Sequence, residues 1–378
     1  MQKVSREDFI RICQEERAKG TAWRQIHSVL GLTHRVFQRR LALYRKRGEF
    51  GEGSAQGFAT YAKSTLSRID EAGNKTAILV WDKESRQKDS LAQLRAIVDE
   101  MANEVRGKAE AVQAPEWVDE DHCNVIPFGD PHVGLYAWSK EAGDDFDLSI
   151  AESLMVGSIE SLMASALPAG EGWLVNLGDM FHADDGTNAT PTSKHALDVD
   201  SRWPKIQQAG ARIMRKIITL MLEKHRRVVV KCVRGNHDPH SGYALALILA
   251  AYYESDPRVE VDLDPGAFWY RSFGNTLVGV CHGHTVKKFA DLPGIMAVDR
   301  PQDWGAARHR RWLVGHHHHS RIEEFRGCVV EVFRTLAPAD AWAHGSGYRS
   351  DRSLDLITIH RDKGERARLR VFFDEVVK

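Results

Sequence analysis

Short apolar runs recur along the chain from residue 122 onward, and five of the six stop on an acid, an amide or an imidazole. The runs are NVIPF at 124–128, WLVNL at 173–177, RVVVKCV at 227–233, TLVGVC at 276–281, RWLVG at 311–315 and CVVEVF at 328–333. The first leads into GDPHVG with Asp130 and His132, and the second into GDMFH with Asp179 and His182. The third opens RGNHD, with Asn236, His237 and Asp238. The fourth opens HGH, with His282 and His284, and the fifth runs into four consecutive histidines, 316 to 319. Runs of this length without strict alternation read as strands covered on both faces. Layered α/β proteins collect ligands at the carboxyl ends of their strands, so a fold that joins these ends gathers Asp, Asn and His in one place.

Amphipathic helices separate the first three runs. One carries Leu148, Ala151, Met155, Ile159, Leu162 and Ala166, and the other Ile206, Ile213, Ile217 and Met221. Strand and helix alternation predicts an α/β domain over 119–378, built as two stacked mixed sheets flanked by helices, or as one mixed sheet with helical layers. The 378 residues, 43% hydrophobic, suffice for two or three domains. Five cysteines lie scattered without CxxC pairs, as reduced core thiols do. No segment reaches the roughly 18 apolar residues of a membrane span. The start, MQKVSREDFIRIC, lacks the apolar stretch of a secretion signal, so a cytoplasmic protein is expected.

The first fifty residues differ in character. They hold twelve Lys/Arg against five Asp/Glu, a balance of +7, which leaves −7 on a chain of zero net charge. Residues 5–47 read as three short helices: Ser5 with Asp8 caps the first, Gly31 ends the second and Thr33 caps the third. Phe9, Ile10 and Cys13 form one apolar face; Trp23, Ile26, Val29 and Leu30 form another; Val36, Phe37, Leu41 and Tyr44 point inward from the third. Arg35, Arg39, Arg40, Arg45, Lys46 and Arg47 are left outward. Two helices joined tightly, the second basic, resemble a helix-turn-helix entering a DNA major groove, with Arg35, Arg39 and Arg40 as contacts. A small all-α bundle used for protein contacts fits the same pattern. Residues 51–118 read as linker, hairpin and helix: the glycine-rich 48–60, a hairpin turning at Gly73-Asn74, and a polar helix at about 86–111 ending near Pro115.

Imidazoles and carboxylates without thiolates suit Zn, Mn or Fe at an open site. Side chains at i and i+2 of a strand point the same way, which lets Asp130 and His132 share one ion. The donors exceed the needs of a single ion. Two divalent ions roughly 3.5–4 Å apart, bridged by a carboxylate and a hydroxide, would use them all and would clamp a phosphoester for in-line attack.

The ordered set D-x-H, G-D-x-x-H, G-N-H-D, H-G-H and G-H-x-H resembles the calcineurin-like metallophosphoesterase superfamily over about residues 122–335. The resemblance implies that Asp130 and His132 bind a first metal, that Asp179 bridges, and that Asn236 and His282 bind a second. In the last motif it implies that His316 completes the second site and His318 the first, with His317 and His319 as bystanders. His237 matches the histidine that protonates the leaving oxygen, oriented by Asp238. Arg234 is a candidate phosphate contact, with structural pairing as its alternative. For His284, His240, His195 and His344 an ordinary structural or surface role is the reading.

The superfamily spans phosphatases, phosphodiesterases, nucleotidases and nucleases, so the fold does not choose among them. GDMFH resembles the second motif of the double-strand-break repair nucleases, which makes His182 a second candidate catalytic residue. The layout also resembles phage- and prophage-encoded phosphoesterases, in which a helical DNA-binding-like region precedes the enzyme. These points favour a two-metal DNA nuclease, cutting internally, with Mn²⁺ before Fe, Zn or Ni and with a homodimer as the form that helix-turn-helix readers often take. If phage-encoded, it would act in the bacterial host cytoplasm. The alternative is a phosphodiesterase or phosphatase for a small nucleotide or a phosphoprotein, its N-terminal helices serving assembly. In the tail, Arg334, Tyr348, Arg349 and Arg352 are candidates for a substrate groove or for pairing with acids. The polar loop 183–205 is placed to shape access.

Overall fold

The computed structural model describes residues 4–19, 21, 23–46, 64–69, 75–81, 100, 102–340, 344–347 and 349–376. The chain divides into two compact units, Met1–Ala96 and Ile97–Lys378. In the first, helices α1 (Arg6–Ala18), α2 (Trp23–Val29) and α3 (His34–Lys46) enclose a core of Phe9, Cys13, Ile26, Leu30, Phe37, Leu41 and Tyr44. The sequence signals for their ends hold. The Asp8 amide donates to Ser5 Oγ at 3.0 Å, the Val36 amide to Thr33 Oγ1 at 3.4 Å, and Gly31 takes φ 61°.

Two inward assignments fail: Val29 is 56% and Val36 46% exposed. Ile26 with Leu30, and Phe37 with Leu41 and Tyr44, already define stripes at helical spacing, and the two valines fall beyond their edges. Arg40 is not outward either. Its guanidinium donates to the Val4 carbonyl at 3.0 Å and lies 5.6 Å over the Phe9 ring. Arg35 and Arg39 are exposed. The side chains of Trp23, Arg45 and Lys46, together with Arg47 and the 48–60 segment, lie outside the described residues. Strands β1 (Ser64–Ile69) and β2 (Lys75–Trp81) pair antiparallel as expected for a hairpin, and its turn at Gly73-Asn74 also lies outside them.

The polar helix placed at about 86–111 ends earlier than its composition suggests. Its described residues are 100 and 102–105, and Gly107, at φ 64°, turns the chain away. The segment that follows packs within the second unit: the Gly107 amide donates to Ala251 O at 2.9 Å and the Ala109 amide to Tyr252 O at 3.2 Å.

The second unit contains two mixed sheets flanked by helices. One has the order β13 (Gly364–Phe372), β12 (Ser353–His360), β3 (Asp119–Phe128), β4 (Ala169–Asn176), β5 (His225–Cys232), β6 (Val259–Asp262). The other has the order β10 (Arg321–Phe325), β11 (Cys328–Val332), β9 (His309–Val314), β8 (Thr276–Cys281), β7 (Trp269–Phe273). Alternation along each strand sorts its side chains to two cores. Val125, Trp173, Val175 and Val229 face Val278, Val280 and Leu313 between the sheets. Ile126, Leu174, Val228 and Val230 face helices α4 (Leu148–Ser165), α5 (Trp203–Leu222) and α6 (Ser241–Tyr252). On the outer face of the second sheet, Leu277, Trp312 and Val314 pack on α7 (Leu292–Asp299) through Leu292 and Met296. The apolar residues of β3, β4, β5, β8 and β9 are thus covered on both faces, which is why these runs lack a polar face. The five cysteines are all buried, and among the described residues no helix is long and apolar enough to cross a membrane.

Strands β3, β4 and β5 are mutually parallel, as are β8 and β9, so each group sends its carboxyl ends to one edge. A buried polar network ties the opposite end. His225 donates through Nδ1 to Met221 O at 2.7 Å, and its Nε2 lies 2.9 Å from Asn124 Nδ2. Gly172 leaves it room, since a Cβ there would meet the ring at 2.8 Å. Burial pushes the His225 pKa from 6.5 down to about 4. The unfolded chain therefore binds the proton first, and stability present above pH 6.5 is lost as pH falls towards 4. Over that window the wild type should lose about 3 kcal/mol more than His225→Gln. Chemical denaturation at a series of pH values checks this, and parallel curves for the two proteins would remove the role assigned to His225.

Candidate metal centre

The five ligand-bearing segments do not continue their strands. β3 stops at Phe128, β4 at Asn176 and β9 at Val314. Asp130 (φ 44°), His132 (46°), Asp179 (51°), His316 (68°) and His318 (54°) then adopt left-handed backbone, five of the eight non-glycine residues that do so among the described ones. Such conformations cost roughly 1–3 kcal/mol each and persist where surroundings over-determine them, as at functional sites. The i, i+2 sharing by Asp130 and His132, and the sorting of the four histidines, therefore arise from these turns and not from strand alternation.

Two groups of side chains result. Asp130, His132 and His318 bring ligand atoms within 4.8 Å of one another, and so do Asp179, His282 and His316. His316 and His318 thus fall in separate groups, in the register read from the G-H-x-H pattern. His282 donates through Nδ1 to Leu177 O at 2.9 Å, which aims its Nε2 at Asp179 Oδ2, 3.1 Å away, and at Asn236 Oδ1, 2.9 Å away. Two oxygens thus converge on one imidazole nitrogen, an arrangement that either a proton on that nitrogen or a cation shared by all three atoms satisfies. In the other group His132 Nε2 lies 3.2 Å from His318 Nε2, which itself lies 3.5 Å from Asp130 Oδ1. Asp130 and Asp179 are buried, and among the described residues only histidines pair with them. An unpaired buried carboxylate is costly, and a divalent ion removes that cost. A backbone carbonyl fixing the far nitrogen of a histidine is how a metal-ligating imidazole is oriented. The donor set fits the ions that the sequence implied.

Electrostatics follow the same layout. Burial opposes charge on His282, but the Asp179 and Asp130 carboxylates outweigh it and raise its pKa to about 10. Burial lowers His132 well below the ordinary value and takes His182 to about 3 and His316 to about 4, so these imidazoles present neutral nitrogens.

A third group adjoins the first: His132, His182 and His237. The rings of His182 and His237 stack at 5.3 Å and 24°. His182, only 2% exposed, forms the buried side of that stack, while its carbonyl accepts from His237 Nδ1 at 2.8 Å. The His182 carbonyl thus fixes the His237 ring, and the His182 ring lies beside the first group as well, its Nδ1 3.3 Å from His132 Nδ1. Asp238 departs from its expected role. Its carboxylate accepts from the backbone amides of Asp179 (3.1 Å), Phe181 (3.1 Å) and Gly235 (3.2 Å), and it is the His182 carbonyl that orients His237. Asp238 braces the two loops, and burial together with Asp179 holds its pKa well above the carboxylate range.

Arg234 is exposed at the mouth of its loop. Of the tail residues, Arg334 pairs with Asp351 at 3.2 Å and Arg352 with Asp144 at 3.1 Å, the acid pairing named as one of their two readings; Tyr348 lies outside the described residues. Arg349 donates to His344 O at 2.9 Å. The polar loop is shorter than 183–205, because α5 begins at Trp203 with a proline in its first turn.

Sequence reading missed the residues that hold the ligands. Thr335 Oγ1 donates to Asp130 O at 2.6 Å, and the His316 amide donates to the Asp130 carboxylate at 2.9 Å. A Cβ on Gly235 would lie 1.9 Å from Asp179 Oδ1, one on Gly178 2.6 Å from His282 Nδ1, and one on Gly315 2.9 Å from Asp130 Oδ2. The signal was visible, since a glycine directly precedes Asp130, Asp179, Asn236 and His316. Nearby, buried Asp184 accepts from the His240 and Ser241 amides at 3.1 and 2.8 Å and lies 2.5 Å from His240 Nδ1.

No family model matches the chain, and no curated protein matches it. Solved structures do resemble it. One is a predicted phosphoesterase from Streptococcus pneumoniae, 12% identical over 66% of this chain and 98% of its own, with a TM-score of 0.27. Another is Vps29 from Entamoeba histolytica complexed with zinc, 14% identical over 66% and 99%, with a TM-score of 0.24. A third is vacuolar protein sorting 29 from Cryptosporidium parvum, 13% identical over 67% and 100%, with a TM-score of 0.31. Likenesses of this degree say nothing of chemistry, so the functional reading rests on the chain's own side chains.

Proposed function

We propose that the protein is a two-metal phosphodiesterase whose substrate is DNA. The observation that carries the metal-dependent reading is the pair of adjacent Asp/His groups, each set by left-handed turns at strand ends. Asp130, His132 and His318 would hold one divalent ion, and Asp179, Asn236, His282 and His316 the other, with Asp179 shared between them. Oxygen and imidazole donors without thiolate suit Mn²⁺, with Fe, Zn or Ni as substitutes. When bound, such ions polarise a phosphoryl group and lower the pKa of water. The remaining work falls to the chain. His237, half-buried and fixed through Nδ1, is poised to hand a proton to the leaving oxygen, and Arg234 is free to meet a phosphate. Exposed Arg35 and Arg39 on α3 support DNA as the substrate.

Supercoiled plasmid incubated with Mn²⁺ should be nicked or linearised, and chelator should stop it. Hydrolysis of bis(4-nitrophenyl) phosphate with plasmid, single strands and ends all untouched would sink DNA as the substrate. The Arg35→Ser/Arg39→Ser protein should bind duplex DNA more weakly, its salt slope reduced by about two. Titration at several ionic strengths reads this, and an unchanged slope would remove the α3 contact.

A further inference from the structure

The two histidines of the run that the metal groups leave out, His317 and His319, line a groove of about 530 Å³ with Lys287, Lys288, Phe289 and Arg321. That volume lies within the range of small-molecule sites, roughly 300–1,000 Å³. Its walls come from the loop after β8 and from the start of β10, segments far apart in sequence. The groove begins beside the metal centre, because the His316 and His317 rings are 5.1 Å apart. Phe289 is half-buried against the outer core and in T-shaped contact with His317 at 5.3 Å and 84°, and the Arg321 guanidinium lies over its ring at 5.2 Å, a planar group on which a base can itself stack. Arg321 is also held by Glu323 at 2.7 Å, the one acid in the lining. Lys287 and Lys288 are exposed and make no ion pair among the described residues.

An anchored aromatic ring beside unpaired cations matches the two halves of a nucleotide. Bases stack on aromatic faces whatever their identity, and lysines meet phosphate as point charges. Inorganic phosphate would have no use for the ring, and an apolar peptide none for the lysines. We propose that this groove is a nucleotide subsite, taking the base and flanking phosphate of a phosphodiester whose scissile group lies at the metal centre. The proposal rests on the phosphodiesterase reading and names the part of the substrate that the metal centre does not hold.

Binding read without turnover separates the two. In chelator, a fluorescein-labelled octathymidylate titrated with the full chain should raise its anisotropy, and thymidine 5′-monophosphate should displace it. Phe289→Ala should weaken binding roughly tenfold, the scale of one lost base stack. The Lys287→Ser/Lys288→Ser protein, altered only at exposed positions, should weaken it and flatten its salt dependence even if the Phe289 variant folds poorly. Tighter binding of the octamer than of the monophosphate assigns the groove to nucleic acid, and equal binding assigns it to free nucleotides. Binding that both groove variants weaken, with no hydrolysis of any ester, upholds the groove and refutes the enzyme. The groove is refuted if hydrolysis occurs while neither variant changes binding, if a base-free diester competes as well as the monophosphate, or if a phosphopeptide does.

Discussion

Gly235→Ala should remove metal binding and phosphoester turnover together, although it adds one methyl group. The added Cβ would sit 1.9 Å from Asp179 Oδ1 and 2.3 Å from the Asp179 amide nitrogen. Neither can retreat. The amide donates to Asp238, and Oδ1 accepts from the His237 amide at 2.8 Å, so the methyl must displace the Asp179 loop or its own. Either movement separates Asp179 from His282 and Asn236. Loss of an orienting partner alone costs some 10–100-fold in metal affinity, and a displaced ligand should exceed that. Metal content after equilibration with Mn²⁺, read by mass spectrometry beside bis(4-nitrophenyl) phosphate turnover, tests it. Gly186→Ala is the control, since nothing lies within 4 Å of its Cβ. Wild-type metal content in the Gly235 variant would contradict the account of the site.

The same glycine shows where sequence reading reaches and where it stops. The strand ends were legible because burial on both faces leaves an unbroken apolar run, and Asp130, Asp179 and His282 each stand just beyond one. The layered sheets follow from the same runs. Hidden were the dihedrals: nothing in D-x-H distinguishes a continuing strand from a left-handed turn, so Asp130 and His132 were brought together for a reason that the backbone does not bear out. The partners of Asp238 were hidden too. Adjacency to His237 suggested a dyad, yet neighbouring side chains in a turn diverge, and this carboxylate meets amides 57 and 59 residues away. Val29 and Val36 passed for core because hydrophobicity does not say how wide a stripe three short helices can cover. The Lys287–Arg321 groove was invisible because its halves meet only through the pairing of β8 with β9 and of β9 with β11.

The partners of Asp238 make the second large prediction. A carboxylate that merely oriented His237 would give Asp238→Ala and His237→Ala the same phenotype: metal retained, turnover lowered. The hydrogen bonds require a split. Asp238→Ala strands the buried amides of Asp179, Phe181 and Gly235, each an unmet donor worth about 1–3 kcal/mol. Those amides belong to both loops that carry ligands, so the variant should lose about 3 kcal/mol or more of stability and shed metal. His237→Ala removes a half-buried ring whose Nδ1 serves only the His182 carbonyl, so metal content and melting should change little. Its turnover should fall by some 10²–10⁴, as for a lost proton donor. The fall should be smallest for 4-nitrophenolate, which leaves without needing a proton, and largest for an alkoxide leaving group. Thermal melts, metal analysis and turnover of the two ester types distinguish these outcomes. Equal metal loss in both variants would place His237 among the ligands, and full metal retention in Asp238→Ala would return that carboxylate to a catalytic dyad.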